Sequence, residues 1–413
     1  MPPAAPPDAL LEAIALHRKG DLKGAEILYN ALLASQPDDA TVLNLLGTLL
    51  YQWGNHENGL YLMDKAIAVK PDYATAYYDR GVALLNLARY HEALASFDKA
   101  ILLAPDDAES PWNKSLIKLL LGEYEEGWAL YEWRNKRQPN SRAFGKPLWL
   151  GKEQLAGKTI LLHTEQGLGD AIQFCRYVSM VESLGAKVIL EVATPLASLV
   201  VTLGGSVQVV KKGEVLPEFD CHCPLTSLPL ALGTTIETIP ARIPYLSVTE
   251  QKRKQWQQGR KNKKSIGLAW SGSATYHNDR NRSIALELMR PLFNGDYEFH
   301  VVQKDIRPGD QAILAGCRNI TRHNLTDFAD TAALISEMDV VLSVDTSAAH
   351  LAGALGKPVW VLLPFVPDFR WLLVREDSPW YPSARLFRQQ RIGDWPGVIA
   401  RVNKELEALY PPF

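Results

Sequence analysis

The chain has 413 residues, 47% of them hydrophobic and 22% charged, with 44 Lys and Arg against 46 Asp and Glu. This near-neutral balance excludes the basic surface of a non-specific nucleic-acid binder, and the length predicts two or three domains of ~100–200 residues each. Four scattered cysteines are too few for a disulfide framework, so we expect a reducing, cytoplasmic location.

The sequence offers no candidate export signal or membrane span. Its amino terminus lacks the basic region and the apolar segment of a signal peptide. The most apolar stretch, residues 186–210, is interrupted by charged residues, a proline and a glycine pair, and falls short of ~20 continuous apolar residues. We therefore predict no transmembrane segment.

A repeat occupies the first third of the chain. Prolines recur every 34 residues, at Pro37, Pro71, Pro105 and Pro139, and small residues recur in the same register. A small residue one turn before a large apolar one favours a close helix crossing, and proline ends each unit. The period resembles the tetratricopeptide repeat and predicts an α-solenoid of four helical pairs over residues 6–139. Such an array either holds a protein or peptide partner or acts as a spacer, and both interpretations remain open.

Strands alternate with helices after a linker at residues 140–157. Strands are predicted at 158–163, 188–192 and 207–210, and, beyond a charged run, at 265–270, 299–302, 340–344 and 359–363. This alternation predicts parallel sheets with helices on both faces. We therefore expect two Rossmann-like lobes, and ligands beyond the carboxyl ends of the strands. The predicted ranges are 158–248 for a small first lobe, 249–264 for an inter-lobe linker, 265–391 for the second lobe and 392–413 for a final helix.

The strongest local motif follows the strand at 340–344. Asp345, Thr346 and Ser347 open an Ala-rich helix that contains His350 and ends at Gly-Lys-Pro. A helix amino terminus at the carboxyl end of a strand offers free N–H groups and a positive dipole end to an anion. The segment predicts a diphosphate site to which His350 contributes a donor. The alternative is an ordinary helix cap with a core histidine.

This segment resembles the nucleotide-sugar loop of glycosyltransferase family 9, the heptosyltransferase-like GT-B enzymes. Gln166-Gly167-Leu168-Gly169-Asp170, which follows the first strand of the first lobe, is similar to the opening Gly-Asp motif of that family. The resemblance implies that Asp170 is the general base on the acceptor hydroxyl, with Gly167 and Gly169 at the donor. It also implies that a cation in the second lobe contacts the diphosphate, with Arg282 the candidate and Arg280 its competitor.

Further donor contacts are expected at the ends of other strands in the second lobe. Ser271 follows the strand at 265–270, and Gln303 and Lys304 end the strand at 299–302. A Gln-Lys pair at this place resembles the nucleotide and phosphate contacts of related GT-B transferases. Asp330 is interpreted either as a ribose contact or as a carboxylate that stabilises its own helix. His163 and His277 are candidates for the cleft only.

No metal site or other cofactor is predicted. The sequence contains no Asp-x-Asp motif, and Cys221-His222-Cys223 lacks the second pair of soft ligands that a closed zinc site needs. Cations and a helix end would then neutralise the leaving diphosphate. The sequence therefore predicts a metal-independent glycosyltransferase. Its donor is expected to be an ADP- or UDP-linked sugar, and its hydroxyl acceptor a protein or peptide presented by the repeats. The alternative is a repeat scaffold that binds a nucleotide sugar without turnover.

Overall fold

The computed structural model describes residues 8–137, 142–257, 263–276 and 278–409. It divides into two compact units: Met1–Leu119 with Ala129–Ser141, and Leu120–Trp128 with Arg142–Phe413. The predicted end of the repeats at Pro139, part of the charged run before the second lobe, and His277 lie outside the described residues.

Helices fill the repeat region, in consecutive pairs that match the predicted units. They are α1 (Ala9–Lys19) and α2 (Leu22–Ser35), α3 (Ala40–Gln52) and α4 (His56–Val69), α5 (Ala74–Asn86) and α6 (Tyr90–Leu103), α7 (Glu109–Leu120) and α8 (Tyr124–Tyr131), followed by the short α9 (Arg134–Arg137). Pro37, Pro71 and Pro105 lie in the turns between pairs, as the period predicts. Proline fits these turns because it cannot continue the preceding helix.

Glycines let helices within a pair cross closely. In the second pair, a Cβ on Gly47 would lie 2.8 Å from the carbonyl oxygen of Gly59, and one on Gly59 would lie 2.7 Å from that of Gly47. In the third pair, a Cβ on Gly81 would lie 2.7 Å from the ring of Phe97. Any larger side chain would push the helices apart. These contacts confirm the close crossings predicted from the small residues in register.

Two ion pairs recur with the 34-residue period. Arg80 Nε lies 2.6 Å from Asp64 Oδ1, and Lys114 Nζ lies 2.9 Å from Asp98 Oδ1. Each pair joins the first helix of one unit to the second helix of the preceding unit. The aspartates are largely exposed, so each pair contributes at most ~1 kcal/mol. Their shared spacing makes them markers of the register between neighbouring units.

The first lobe is built on a four-stranded sheet in the order β3-β2-β1-β4, with all pairs parallel. Its strands are β1 (Thr159–His163), β2 (Lys187–Val192), β3 (Gln208–Lys211) and β4 (Cys221–Pro224). Its helices are α10 (Leu168–Phe174), α11 (Val178–Ser183), α12 (Thr194–Val200) and α13 (Leu228–Ala231). The strands are short and mainly buried, as parallel strands covered on both faces require.

The second lobe has a six-stranded parallel sheet in the order β10-β9-β8-β5-β6-β7. After α14 (Glu250–Trp256), its strands are β5 (Lys264–Ala269), β6 (Tyr297–Val301), β7 (Ile320–Thr321), β8 (Val340–Val344), β9 (Val359–Leu363) and β10 (Ala384–Arg388). Its helices are α15 (Asp279–Arg282), α16 (Gln311–Gly316), α17 (Phe328–Ser336), α18 (Ser347–Ala354) and α19 (Trp395–Leu409). The core of the lobe joins sheet residues such as Phe299 and Leu342 to Val402 of α19.

The α plus α/β fold predicted from the sequence is confirmed. Strands β7 and β10 are additions that the apolar pattern does not predict, because β7 has only two residues and the apolar run of β10 is interrupted by Arg385 and ends at Arg388. No helix among the described residues combines the length and apolar character needed to cross a membrane.

The residues Leu120–Trp128, predicted to belong to the repeats, group with the second unit. Trp128 is 2% exposed, and its ring lies edge-on to Phe174 of α10 at 6.1 Å and to Phe369 at 5.6 Å. Tyr124 stacks on Trp380 at 6.4 Å. Burial of these aromatic rings stabilises the packing of the segment on the α/β unit. The repeat pattern does not predict this contact.

Candidate functional site

The two strongest sequence motifs lie beyond the carboxyl ends of parallel strands in different lobes. Gly167 precedes α10 after β1, and Thr346 precedes α18 after β8. Parallel strands end at the same edge of their sheet, so the loops that follow them gather there. Each motif therefore opens a helix at the ligand-binding edge of its own lobe.

These two helix starts touch. A Cβ on Gly169 would lie 2.9 Å from His350 Cδ2 and 3.6 Å from the Cα of Ser347. The backbone of α10 thus approaches α18 closely, and only a glycine at position 169 fits without a shift. This contact brings the two predicted motifs into one site, although Asp170 and Asp345 lie 175 positions apart in the sequence.

The amino terminus of α18 is not capped by the side chain at its own cap position. Thr346 occupies that position in extended conformation, and its side chain makes no capping hydrogen bond. Its hydroxyl lies 3.3 Å from the Ser343 hydroxyl. The first N–H groups of α18, beginning at Ser347, are those that a helix leaves without an internal partner. A phosphate placed there would receive their hydrogen bonds and the dipole field.

Arg370 ties the two lobes together at this point. It lies in a short 3-10 turn, Phe369–Trp371, and is 7% exposed. Its Nη2 donates to Asp170 Oδ1, its Nε donates to Gln173 Oε1 at 2.5 Å, and its Nη1 donates to Asp368 Oδ1 at 2.8 Å. The guanidinium thus links α10 of the first lobe to the loop after β9 of the second.

Arg370 is not among the site residues predicted from the sequence. The available signal was its position, since it follows β9 and strand-end loops are where ligand contacts are expected. Nothing local to Asp368-Phe369-Arg370-Trp371 indicates an ion pair with a residue 200 positions earlier.

The Asp170 carboxylate is held on both oxygens. Besides Arg370 on Oδ1, Oδ2 accepts a hydrogen bond of 2.9 Å from the backbone N–H of Gly167. This second bond closes the start of α10 and fixes the side-chain direction. About a quarter of the side chain is exposed. A carboxylate oxygen has two lone pairs, so these bonds leave capacity to accept a proton from a hydroxyl.

His350 is buried and neutral. Burial, assisted by the charges of Arg370, Arg176 and Arg282, holds the pKa of its imidazole well below the usual range. Nδ1 lies 3.0 Å from the Tyr381 hydroxyl, and the ring stacks on Trp371 with centroids 5.5 Å apart. A neutral imidazole donates from one nitrogen only. At a diphosphate, His350 would act as a hydrogen-bond donor and not as a cation.

The pKa of the Asp345 carboxyl is shifted in the opposite direction, upwards. Burial and the negative charge of Asp368 raise the pKa of its carboxyl to about 7, against the opposing charge of Arg370. Its Oδ1 lies 3.8 Å from His350 Nε2. A carboxyl group that titrates near neutrality can change its charge when an anion binds beside it. This makes Asp345 responsive to a diphosphate as well as to pH.

Of the two candidate arginines, Arg282 lies at this site. Its Nη1 donates to the backbone carbonyl of Asp345 at 3.0 Å, and its guanidinium lies 4.3 Å from the centre of the Tyr276 ring. The side chain runs over Gly272, where no Cβ would fit. Arg280 is exposed on the surface.

Gln303 and Ser271 are engaged with each other. Gln303 Oε1 accepts from the backbone N–H groups of Trp270, at 2.7 Å, and Ser271, at 3.1 Å. Its Nε2 donates to the Ser271 hydroxyl at 2.9 Å and to the Asp305 carbonyl at 2.8 Å. The structure therefore uses the predicted nucleotide contact Gln303 to join the ends of β5 and β6. Lys304 is exposed beside it.

Asp330 holds α14 on α17. Its Oδ1 accepts from Lys252 Nζ at 2.5 Å and from Trp256 Nε1 at 2.9 Å, while Oδ2 accepts from the backbone N–H and the hydroxyl of Thr326. Burial opposes its charge, but these bonds hold the pKa well below the usual range. These four hydrogen bonds occupy the four lone-pair sites of the carboxylate, so none is left to accept from a ribose hydroxyl. The cap of α17 is Asp327, which accepts from the Asp330 N–H at 2.9 Å.

His163 is the remaining cleft candidate among the described residues, since His277 lies outside them. His163 lies 3.2 Å from His222 and packs on Phe144, within the first lobe. Cys221 and Cys223 are buried in β4. Among the described residues, no group of three or more His, Cys, Asp or Glu side chains could hold a metal ion.

Comparison with family models agrees with the repeat and with the second lobe. Residues 10–76 and 74–107 match tetratricopeptide-repeat models. The first third of the chain is a tetratricopeptide-repeat array. Residues 310–363 match the model of glycosyltransferase family 9 (heptosyltransferase). The matched residues of this tetratricopeptide-repeat protein extend from α16 to β9 and include Asp345 and His350. The match supports glycosyl transfer at the level of the family.

Protein FlbA of Caulobacter vibrioides (strain ATCC 19089 / CIP 103742 / CB 15) is 28% identical to this tetratricopeptide-repeat protein over 290 residues. The match covers 62% of this chain and 48% of FlbA, so the chain spans about half the length of this curated relative. Among solved structures, MamA AMB-1 is 26% identical over 33% of this chain and 74% of its own, with a TM-score of 0.28. MamA MSR-1 is 26% identical over 32% of this chain and 77% of its own, with a TM-score of 0.28. At such scores, nothing is drawn from the likeness.

Proposed function

We propose that the protein transfers a sugar from a nucleotide-sugar donor to a hydroxyl acceptor without a metal ion. The observation that carries this proposal is the contact of Gly169 with His350 and Ser347. It packs the first turn of α10, which carries Asp170, against the amino-terminal end of α18. A base and an anion site then lie side by side, as attack on a sugar attached to a diphosphate requires.

The two parallel-sheet lobes support a GT-B arrangement, with the acceptor on the first lobe and the donor on the second. Asp170 removes the acceptor proton as the hydroxyl attacks the anomeric carbon. The N–H groups of α18, with Thr346, Ser347 and His350, stabilise the departing diphosphate. Arg282, which donates to the backbone carbonyl of Asp345, supplies positive charge, and the exposed Lys304 is proposed as a further phosphate contact.

The donor proposed is an ADP- or UDP-linked sugar, and the acceptor a protein or peptide that the repeats present. Tetratricopeptide repeats support a protein partner, because stacked helical pairs form extended surfaces for binding. A cytoplasmic location, where nucleotide sugars are available, remains part of this proposal.

A binding protein without turnover is the second candidate. The observation that favours it is the ion pair between Asp170 and Arg370, which occupies the proposed base. In this case the chain would bind a nucleotide sugar and hold a partner on its repeats. The two candidates share the donor site and differ in chemistry.

Thermal-shift measurements with ADP-, UDP-, GDP- and dTDP-sugars test the donor site. A ligand at a hundredfold excess over Kd stabilises the folded state by about 2.7 kcal/mol, so a true donor should raise Tm measurably. The stabilising donor is then incubated with the protein, and release of the nucleoside diphosphate is followed. Stabilisation with release supports the transferase, stabilisation without release supports the binding protein, and no shift with any of the four contradicts both.

A further inference from the structure

Arg370 forms ion pairs with carboxylates of both lobes at this site. It holds Asp170 from the first lobe and Asp368 from the second, and it is almost wholly buried. The next residue, Trp371, stacks on His350 of α18. The guanidinium is thus paired with the proposed base, and its charge also acts on Asp345 and His350 at the start of α18.

The carboxylates around Arg370 make the binding of another anion unfavourable unless its charge is compensated. Asp170 and Asp368 pair with the guanidinium, and Asp345 feels its charge. Arg176 and Arg282 are further cations whose charges act on His350. Burial and the Asp368 charge already raise the pKa of Asp345 to about 7. A diphosphate brings at least two more negative charges, and a buried site compensates these only with a proton or a cation that changes partner.

We propose that Arg370 is a cation shared in turn by Asp170 and the donor diphosphate. This inference rests on the proposed function. Before the donor binds, Arg370 neutralises Asp170. When the diphosphate occupies the end of α18, it competes for the guanidinium, and Asp170 loses the partner that occupies Oδ1.

The exchange would make proton removal depend on a bound donor. In the transfer step the acceptor oxygen bonds to the anomeric carbon, while the bond from that carbon to the diphosphate oxygen breaks. The electron pair leaves with the diphosphate, and the hydroxyl proton passes to Asp170. Because Arg370 stabilises the charged form of Asp170 when no donor is bound, the carboxylate would become a stronger base once a donor draws the guanidinium away. This order would limit wasteful deprotonation of the acceptor.

Calorimetric titration with UDP and ADP tests the competition without requiring turnover. Arg370→Ala should weaken binding of the nucleoside diphosphate by about 10- to 100-fold, the loss expected for hydrogen bonds to a charged group. Asp170→Asn should tighten it by about 3- to 10-fold, because the competing carboxylate charge is gone. The double variant should bind like Arg370→Ala, since Asp170 competes only through Arg370. Uridine and adenosine should show none of these changes.

Matched variants show whether a change in nucleotide affinity comes from the proposed competition or from a loss of folding. Arg385→Gln removes another arginine of the second lobe that pairs with a carboxylate, Glu405, and should leave affinity unchanged. Arg370→Lys keeps the charge and should bind more tightly than Arg370→Ala. If Arg370→Ala does not fold, Asp170→Asn alone decides, because it keeps the shape of the side chain. If the wild type binds the nucleotide and Asp170→Asn binds it equally well or more weakly, the inference is wrong and the proposed function still stands. No binding of UDP, ADP, GDP or dTDP by the wild type overturns both.

Discussion

Gly169 and His350, from different lobes, approach so closely that a Cβ on Gly169 would lie 2.9 Å from the imidazole Cδ2. The imidazole has little freedom to move, because it stacks on Trp371 and bonds Tyr381. The contact therefore fixes how far α10 can stand from α18. It turns two separate motifs into one site.

Gly169→Ala should destabilise the protein by about 1–3 kcal/mol and weaken donor binding, because the added methyl must displace a fixed ring. The change is measured as the urea midpoint of unfolding and as the Kd of the stabilising nucleotide. Gly316→Ala is the control, since a Cβ at that helical position meets nothing within 4 Å. Equal behaviour of the two variants would contradict the close contact.

Asp345 predicts a pH dependence of stability. Its folded pKa of about 7 lies above the ~3.9 of an unfolded aspartate, so folding favours the protonated form. The associated stability is complete below pH ~4 and is lost as the pH rises through about 7. Asp345→Asn lacks this titration. The Tm of Asp345→Asn relative to wild type should therefore rise between pH 4 and 7 and level off above about pH 8.

Thermal melts of the two proteins across this range provide the measurement. Asp305→Asn, at an exposed position beyond β6, serves as the control. A constant difference in Tm between Asp345→Asn and wild type at every pH would show that Asp345 stays ionised in the folded state.

Asp330→Asn distinguishes the structural role from the ribose contact expected from sequence. Loss of the charge that pairs with Lys252 should lower the free energy of unfolding by roughly 2–3 kcal/mol, less than for a fully buried pair because Lys252 is a quarter exposed. Affinity for UDP or ADP should be unchanged. Asp339→Asn, whose partner Lys264 is half exposed, should cost under ~1 kcal/mol. Weaker nucleotide binding at unchanged stability would restore the ribose contact.

Trp128→Ala should destabilise the α/β unit although the residue lies in the region predicted as repeats. Removal of a ring that is 2% exposed and packed on Phe174 and Phe369 should cost about 3–5 kcal/mol. Trp53→Ala, at a site that is 48% exposed, should cost far less. The comparison uses the urea midpoint of the full chain. Similar midpoints for the two variants would place Trp128 outside the core.

The regular features of this fold are predictable because they are local or periodic. The 34-residue spacing of Pro37, Pro71 and Pro105 defines the repeats, and runs such as Val340–Val344 define strands. The strand-end rule then places Gly169 and Ser347 at ligand-binding edges. That both edges belong to one site came from the family resemblance, since no local pattern relates the two lobes.

What could not be predicted depends on partners distant in sequence. Arg370 finds Asp170 200 residues earlier, and Asp330 finds Lys252 78 residues earlier. A lone arginine or aspartate is most often a surface residue, so its type alone carries no such information. The same limit applies within one lobe to Gln303, because its side-chain amide is hydrogen-bonded to Trp270 and Ser271, directly after β5. Charged and amide side chains acquire their function from the three-dimensional neighbours that compete for them.

The early position of Trp128 and Tyr124 has a consequence for synthesis on the ribosome. Both rings leave the exit tunnel long before Phe369 and Trp380 exist, since Phe369 lies about 240 residues later in the sequence. At ~5–20 residues per second this delay is roughly 10–50 s. During that time the nascent chain exposes the aromatic rings of Tyr124 and Trp128 without the partners that bury them. Chaperone capture of ribosome-bound chains should therefore concentrate on residues 120–128.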